Sequence, residues 1–564
     1  MQEKATAGVG INFIGYTKAQ SDTDQLENNA GFVPECTYMF AGHAGYSPPV
    51  RLTGLLVLTF RVLHHLFVAS HDPEEPPLIQ PRIPLVGHVI GLLRNGNSYH
   101  SNIAKKCGRP IFTLGLPRGK MYIVISPDLV TACDRRAKIV SFAPYVVAFA
   151  KRILAAGQDS IRLLSEDLLE DKGTTTLRPE TMKIMHQVMI PGDCLDELMQ
   201  TVLNDVSRSL DTVITNGNQA VVPMFQWIRS FVGIASTNAI YGSERNPMKD
   251  PAVMDGFWAV DKDFALLGLE FLPGLIASAG NRGRERFFDA FRKYYATDSL
   301  QTASHLIKAR YEVNRKHGVS DEDVAHFDLG VCTALLVNTV PAVWWTLYHV
   351  FSDEALLVEL RRGIEATVSA QSESSEPSSA TSIDVPHVIK TFPLLDSFVK
   401  EVLRVHSNSM SARFLLQDKV IEDDKGAAYL LKKGSFLAMP SARVHASSAA
   451  WGPNASTFDP ARFLHLNSDK VPKSAYRAFG GGHALCPGRH FAMNEIMSIL
   501  IIMVIKYDVA PLDSGWEIPE TRDHISTSVT TPAKDFLVRI QPRKPSQYLE
   551  WDFTWEPKKR TMRR

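Results

Sequence analysis

The stretch FGGGHALCPGRHFA, Phe479 to Ala492, sets one cysteine between a run of glycines and the start of an apolar segment. The glycines and the Cys-Pro-Gly turn strip side-chain bulk from both sides of Cys486, so the backbone there can approach a flat object closely. Pro487 deletes one backbone donor and stiffens the turn. The residues that follow, RHFAMNEIMSILIIMVIKY, have the content of a buried helix, which puts Cys486 at or just before a helix N-terminus. Amide N–H groups and the helix dipole at that position favour thiolate over thiol.

The chain has six cysteines in 564 residues, dispersed as Cys36, Cys107, Cys133, Cys194, Cys332 and Cys486, with no C-x-x-C pair. That spacing argues against a disulfide framework and a zinc site and suits a reducing compartment. A lone thiolate in an apolar cradle is a soft metal ligand, and haem iron suits it better than zinc or an iron–sulfur cluster, which need several ligands close together. The competing reading is a buried structural cysteine in a Gly-rich turn. Lys+Arg 61 against Asp+Glu 60 leaves a formal charge of +1, which recommends no nucleic acid and no acidic partner.

Upstream, residues 1–50 are polar and Gly-rich and read as a disordered extension. Residues 51–71 contain LTGLLVLTFRVLHHLFVAS, just long enough to cross a bilayer but interrupted by Arg61, His64 and His65, and read as a weak membrane anchor or an interfacial helix. Residues 72–88 carry five prolines between Asp72 and Pro84 and read as a stiff tether. Residues 89–564 form the globular body. MYIVIS (Met121 to Ser126) is of strand type, whereas most later segments are long with helical periodicity. SAQSESSEPSSATS (Ser369 to Ser382) has no apolar residue larger than alanine and is expected as an exposed loop between helices.

Three motifs fall in order. Glu401 and Arg404 in LDSFVKEVLRVHS lie three apart on one helix face, where they can pair. FDPARFL supplies Pro460, Arg462 and Phe463, and the cysteine stretch supplies Phe479, Gly482, Cys486 and Gly488. In this the chain resembles the cytochromes P450, whose haem-ligand signature is Phe-x-x-Gly-x-Arg-x-Cys-x-Gly and which carry Glu-x-x-Arg and Pro-x-Arg-Phe upstream of it. The stretch RVHASSAAWGPNASTFDPARF is similar to the family's connection between them. The resemblance implies a mainly α fold with small β-sheets, a single large haem-enclosing domain, haem b with Cys486 as axial thiolate, and a structural core of Glu401, Arg404 and Arg462.

DVAHFDLGVCTALLVNTVPAVWWTLYHVF reads as a buried helix from about Glu322 to Phe351, opened at Pro341, which cannot donate to the carbonyl of Val337. In the family this helix carries an acid–threonine pair over the iron, and the matching positions here are Asn338 and Thr339. Asparagine can orient water but has no titratable proton. The arginine expected two residues before the cysteine is Ala484, leaving Arg413, His445 or His483 as alternative propionate partners. The family's Trp-x-x-x-Arg is absent, and TMKIMHQVM around His186 occupies its place. Asn-Thr-x-Pro-Ala is similar to the branch containing cholesterol 7-alpha-hydroxylase and prostacyclin synthase, which spans hydroxylation and peroxide rearrangement.

The resemblance implies a monooxygenase that takes O2 and electrons from an NADPH-cytochrome P450 reductase and oxidises a lipophilic small molecule such as a terpenoid, steroid or other secondary metabolite. The alternatives are an isomerase acting on a peroxide and a non-enzymatic haem sensor. Substrate is expected between Ala334, Leu335 and Asn338, the loop from Phe142 to Ala156, and ISTSVTTP (Ile525 to Pro532). Lys473, Arg477 and Arg489 are the candidate docking face for the reductase. The expected location is the endoplasmic reticulum membrane surface, catalytic body towards the cytosol.

Overall fold

The computed structural model describes residues 71–555, apart from 82, 84–85, 117–118, 170, 214–218, 373–379, 467–470, 514 and 544–549. The N-terminal extension and the anchor segment through residue 70 lie outside the described residues. Helices dominate, and the principal ones are numbered in chain order: α1 Ala143–Arg152, α2 Leu177–Met189, α3 Met224–Tyr241, α4 Pro251–Lys262, α5 Ser278–Tyr295, α6 Asp321–Leu336, α7 Thr339–Ser352, α8 Leu394–His406 and α9 Arg489–Lys506. The largest sheet has six strands: β1 Leu78–Ile79, β2 Ile111–Leu116, β3 Gly119–Val124, β4 Val140–Ser141, β5 Met410–Leu415 and β6 Phe436–Pro440, in the order β1-β2-β3-β6-β5-β4. The architecture is mainly α with small β-sheets.

The helix starts follow local chemistry. The Asp250 side chain accepts from Ala252 N–H at 2.8 Å and Pro251 opens α4. The Ser320 hydroxyl accepts from Asp323 N–H at 3.1 Å and three acids occupy the first turn of α6. The interior helix is broken at Val337 and Asn338, so α6 and α7 are separate elements rather than one kinked rod. Pro341 has no N–H for the Val337 carbonyl, and the ladder resumes only with Ala342 N–H on Asn338 O at 3.2 Å. Trp344 and Trp345 are buried on α7. Residues 321–352 are the one stretch among the described residues long and apolar enough to cross a membrane, and most of it is buried inside the protein.

Three segments depart from expectation. The Pro-rich stretch is extended, as proline demands, but it docks on the sheet rather than hanging free. Proline removes donors and keeps carbonyls: Pro76 O accepts from the Thr113 hydroxyl at 2.6 Å and Pro77 O from Thr113 N–H at 2.8 Å, with β1 parallel to β2 alongside. Glu75 is buried there against Lys120 and the Tyr122 hydroxyl. A helix already runs over Gly87–Asn95. In the Ser-rich stretch, a helix continues to Ser372 and Ala380–Asp384 form a strand parallel to Glu550–Thr554. Strand pairing uses backbone groups, so a lack of apolar side chains does not forbid it. The segment expected as a loop from Phe142 to Ala156 is largely helix α1.

Candidate functional site

The Cys486 N–H donates to Phe479 O at 3.0 Å and closes the glycine run into a loop. Gly480 and Gly482 have φ of 77° and 60°, a region that favours glycine. A Cβ on Gly481 would lie 2.6 Å from Arg477 Nη1, and one on Gly482 2.9 Å from Asp134. The space freed by these two glycines is therefore filled by an ion pair, Arg477 on Asp134 at 2.7 Å. Arg477 is fully buried, so it belongs to the loop's foundation and not to a docking face. Lys473 is exposed, and Arg489 donates to Cys486 O at 3.1 Å. Burial pushes the Cys486 thiol up, with the Gly488 N–H and the Arg489 charge pulling the other way. Burial wins over the helix terminus, so ionisation of this sulfur calls for a cation bound to it.

Arg413, on β5, is buried beside this loop, with Nη2 donating to Gly481 O at 3.2 Å and its guanidinium 5.6 Å over the Phe142 ring. Burial first, and then Arg477, lowers it to about 10. Among the described residues Asp134 is the one carboxylate paired with either of these two buried cations, so the cradle carries surplus positive charge. That suits a flat group with anionic arms. His445 lies a layer behind: its Nε2 accepts Arg477 N–H at 2.8 Å, its ring stacks on Tyr476 and its Nδ1 is buried without a partner. Burial and the neighbouring Arg404 depress it to about 3, so it is neutral. His483 is exposed in a short turn with Gly482 and Ala484. His186 on α2 is lowered by burial and by the nearby Arg489 and His483, which places it on the same side of the loop.

Glu401 and Arg404 project from α8, and Arg462 from a one-turn helix. Arg404 Nε and Nη2 each reach Glu401 at 2.7 Å, and Arg462 Nε bonds both carboxylate oxygens at 3.0 Å. All three are buried. The remaining guanidinium donors take carbonyls of His445, Ala455 and Thr457 for Arg404, and of Trp451, Asn454 and Thr457 for Arg462. One carboxylate thus fastens the irregular chain from 445 to 462 that leads into the cysteine loop.

Asn338 lies in the helix break and Thr339 opens α7 directly after it. Asn338 Oδ1 accepts Ser528 N–H at 2.6 Å, which commits it to holding the 525–532 segment, and Thr339 is buried. Val529 bridges Ser407 just beyond α8. Ala334 is exposed although Leu335, Leu336 and Val337 around it are buried, so the face of α6 next to the break borders open space. A Cβ on Gly330 would meet Phe149 of α1 at 3.3 Å and Leu154 at 3.5 Å, which brings the 142–156 segment against the same helix. Sequence spacing alone gives no sign of Arg477, Asp134 or the Ser528 tie, because each depends on a contact far along the chain. Among the described residues, no cluster of three or more His, Cys, Asp or Glu forms a further metal site.

The cytochrome P450 family model matches residues 76–539. Cytochrome P450 monooxygenase nodJ of Hypoxylon pulicicidum is 28% identical over 494 residues, 86% of this chain and 93% of that protein. Cytochrome P450 7B1 of Mus musculus is 23% identical, covering 82% of this chain and 91% of its own. Among solved structures, retinoic acid-bound cyanobacterial CYP120A1 superposes with a TM-score of 0.64 at 16% identity, over 84% of this chain and all of that one. With a family match across most of its length, the sulfur loop beside a cationic cradle and the broken interior helix, the chain belongs to the cytochrome P450 family, oxidoreductases that hold haem through a cysteine thiolate.

Proposed function

We propose that this chain is a haem-thiolate monooxygenase acting on a lipophilic small molecule (a terpenoid, steroid or other secondary metabolite) with electrons from an NADPH-dependent reductase. The observation that carries it is the pairing of Cys486, held by a closed loop, with a helix break that faces open space at Ala334. Cys486 would ligate the iron; Arg413 would face a propionate, and His483 is the exposed alternative. The chemistry that bound haem supplies is activation of O2 for insertion of one oxygen atom into a C–H bond. The chain's residues exclude water and orient substrate: Asn338 pins the 525–532 segment, and Thr339 offers a hydroxyl beside the break. Phe271, Leu272 and Leu275, between α4 and α5, are 64%, 57% and 78% exposed, which supports a membrane surface as the working location.

The test is the ferrous–carbon monoxide spectrum together with product formation. A strongly red-shifted Soret band, lost in Cys486→Ser, and NADPH-dependent oxygen insertion with reductase are expected. A Cys486→Ser protein with an unchanged spectrum sinks the assignment.

One observation favours a second reading. Asn338 has no titratable proton and its oxygen is taken by Ser528 N–H, which suits rearrangement of a peroxide substrate needing no external electrons. Turnover of a lipid peroxide without reductase, and none with NADPH and reductase, selects it.

A further inference from the structure

Helix α4 and the turn before residue 527 meet where polar atoms are buried with incomplete hydrogen bonding. Trp258 Nε1, Asp261 Oδ1 and Ser526 Oγ are all inaccessible to solvent; the indole N–H has no acceptor, and Ser526 stands close enough to Asp261 to act on its carboxyl without forming a well-aligned hydrogen bond. Trp258 and Asp261 are three apart and share one helix face. Buried polar atoms in native proteins nearly always have partners, so such a grouping calls for one. The turn carrying Ser526 is the segment that Asn338 grips at Ser528 and that bridges Ser407 at Val529, which ties one side of this grouping to the break in the interior helix.

We propose that Asp261, with Ser526 facing it and Trp258 beside it, is the polar anchor that orients the substrate, selecting a lipophilic molecule that carries a free hydroxyl group. The reading rests on the monooxygenase function above and names its substrate class. The three atoms are an acceptor, a donor-only indole N–H and a hydroxyl that serves as either. A substrate hydroxyl donates to Oδ1 and accepts from the indole or Ser526. A ketone leaves Oδ1 without a proton to accept, and a hydrocarbon leaves all three unpaired. An ammonium group has nothing to accept from Trp258 and meets Arg229, whose guanidinium lies 5.0 Å over the Trp258 ring. Burial pushes the Asp261 carboxyl up, against the opposing effects of Ser526, His524 and Arg229.

The experiment uses full-length holoprotein and matched probe pairs: cholesterol against cholestene, farnesol against farnesene, and tryptophol against ethylindole. Binding is read as the substrate-induced Soret shift and as quenching of tryptophan fluorescence. For at least one pair the alcohol binds about tenfold more tightly, the worth of one well-placed hydrogen bond. Asp261→Leu abolishes that preference without weakening the hydrocarbon, Asp261→Asn keeps part of it through its carbonyl, and Ser526→Ala, which leaves the acid in place, reduces it. Equal binding within every pair, absence of alcohol binding, or a preference that survives Asp261→Leu overturns the anchor. A missing thiolate–carbon monoxide band sinks the function itself, whereas a normal band with no alcohol preference sinks only this inference.

Discussion

Glu401 shows what one residue can hold. Its carboxylate meets two guanidinium groups and the Asp459 N–H at 3.0 Å, all out of water. Glu401→Gln leaves two buried cations short of a counter-charge, and breaking such a set costs about 3–5 kcal/mol. The urea midpoint should fall accordingly, and haem uptake with it, while Arg404→Lys, which loses the two-pronged contact, should fall short of rescue. The Glu-x-x-Arg spacing is legible in sequence because helix geometry alone puts the two residues on one face. Arg477 is not legible: a basic residue near a cysteine reads as surface until Asp134, 343 positions away, is seen under it. Glu495 is equally hidden. It is buried on α9, accepts from the Ser236 hydroxyl at 2.5 Å and is raised by burial to about 8. Ionising it in the fold is costly, so stability is full below the unfolded value near 4.5 and is lost between there and about pH 8, at about 1.4 kcal/mol per pH unit. Glu495→Gln mimics the neutral acid. It should raise the melting temperature at pH 8–9 and change it little at pH 5.

At the level of elements, the break between α6 and α7 is half written in the sequence. Pro341 announces that a carbonyl goes unpaired, but not that Asn338 turns its side chain to Ser528 and so ties the helix to the 525–532 turn. The tie matters because that turn also carries Ser526, one member of the proposed anchor. Asn338→Ala removes one neutral hydrogen bond, about 1 kcal/mol. Hydrogen exchange at the Ser528 amide should quicken markedly while amides in α9 keep their protection, and Asn338→Asp, which still presents an oxygen acceptor, should retain most of it. Faster exchange spread evenly over α7 and α9 would instead mean that the asparagine supports the whole helix. The docked Pro-rich stretch makes the same point. Its extended shape follows from proline, yet its partner Thr113 is set by the sheet.

The molecule as a whole buries histidines as neutral side chains. Burial lowers His100 and His349 to about 4, His445 to about 3 and His406 well below its ordinary value. His349 and His406 meet nitrogen to nitrogen at 2.7 Å, each flattened on an aromatic ring, so at most one proton sits between them. In the unfolded chain each histidine takes up a proton near pH 6.5, whereas the folded chain refuses it until about pH 4 or lower. Unfolding therefore binds protons across that window, and stability falls as pH drops from 6.5 towards 4, before the ordinary carboxylates titrate. Each such histidine adds about 1.4 kcal/mol per pH unit to the slope. Urea midpoints measured from pH 7 to pH 4.5 should decline steadily, and His100→Gln, which removes one of these groups at a site bonded to Met121 Sδ, should flatten the decline by about one histidine's share. A midpoint that stays level down to pH 5 and then collapses would assign acid sensitivity to the carboxylates, leaving the buried histidines protonated in place by water that reaches them.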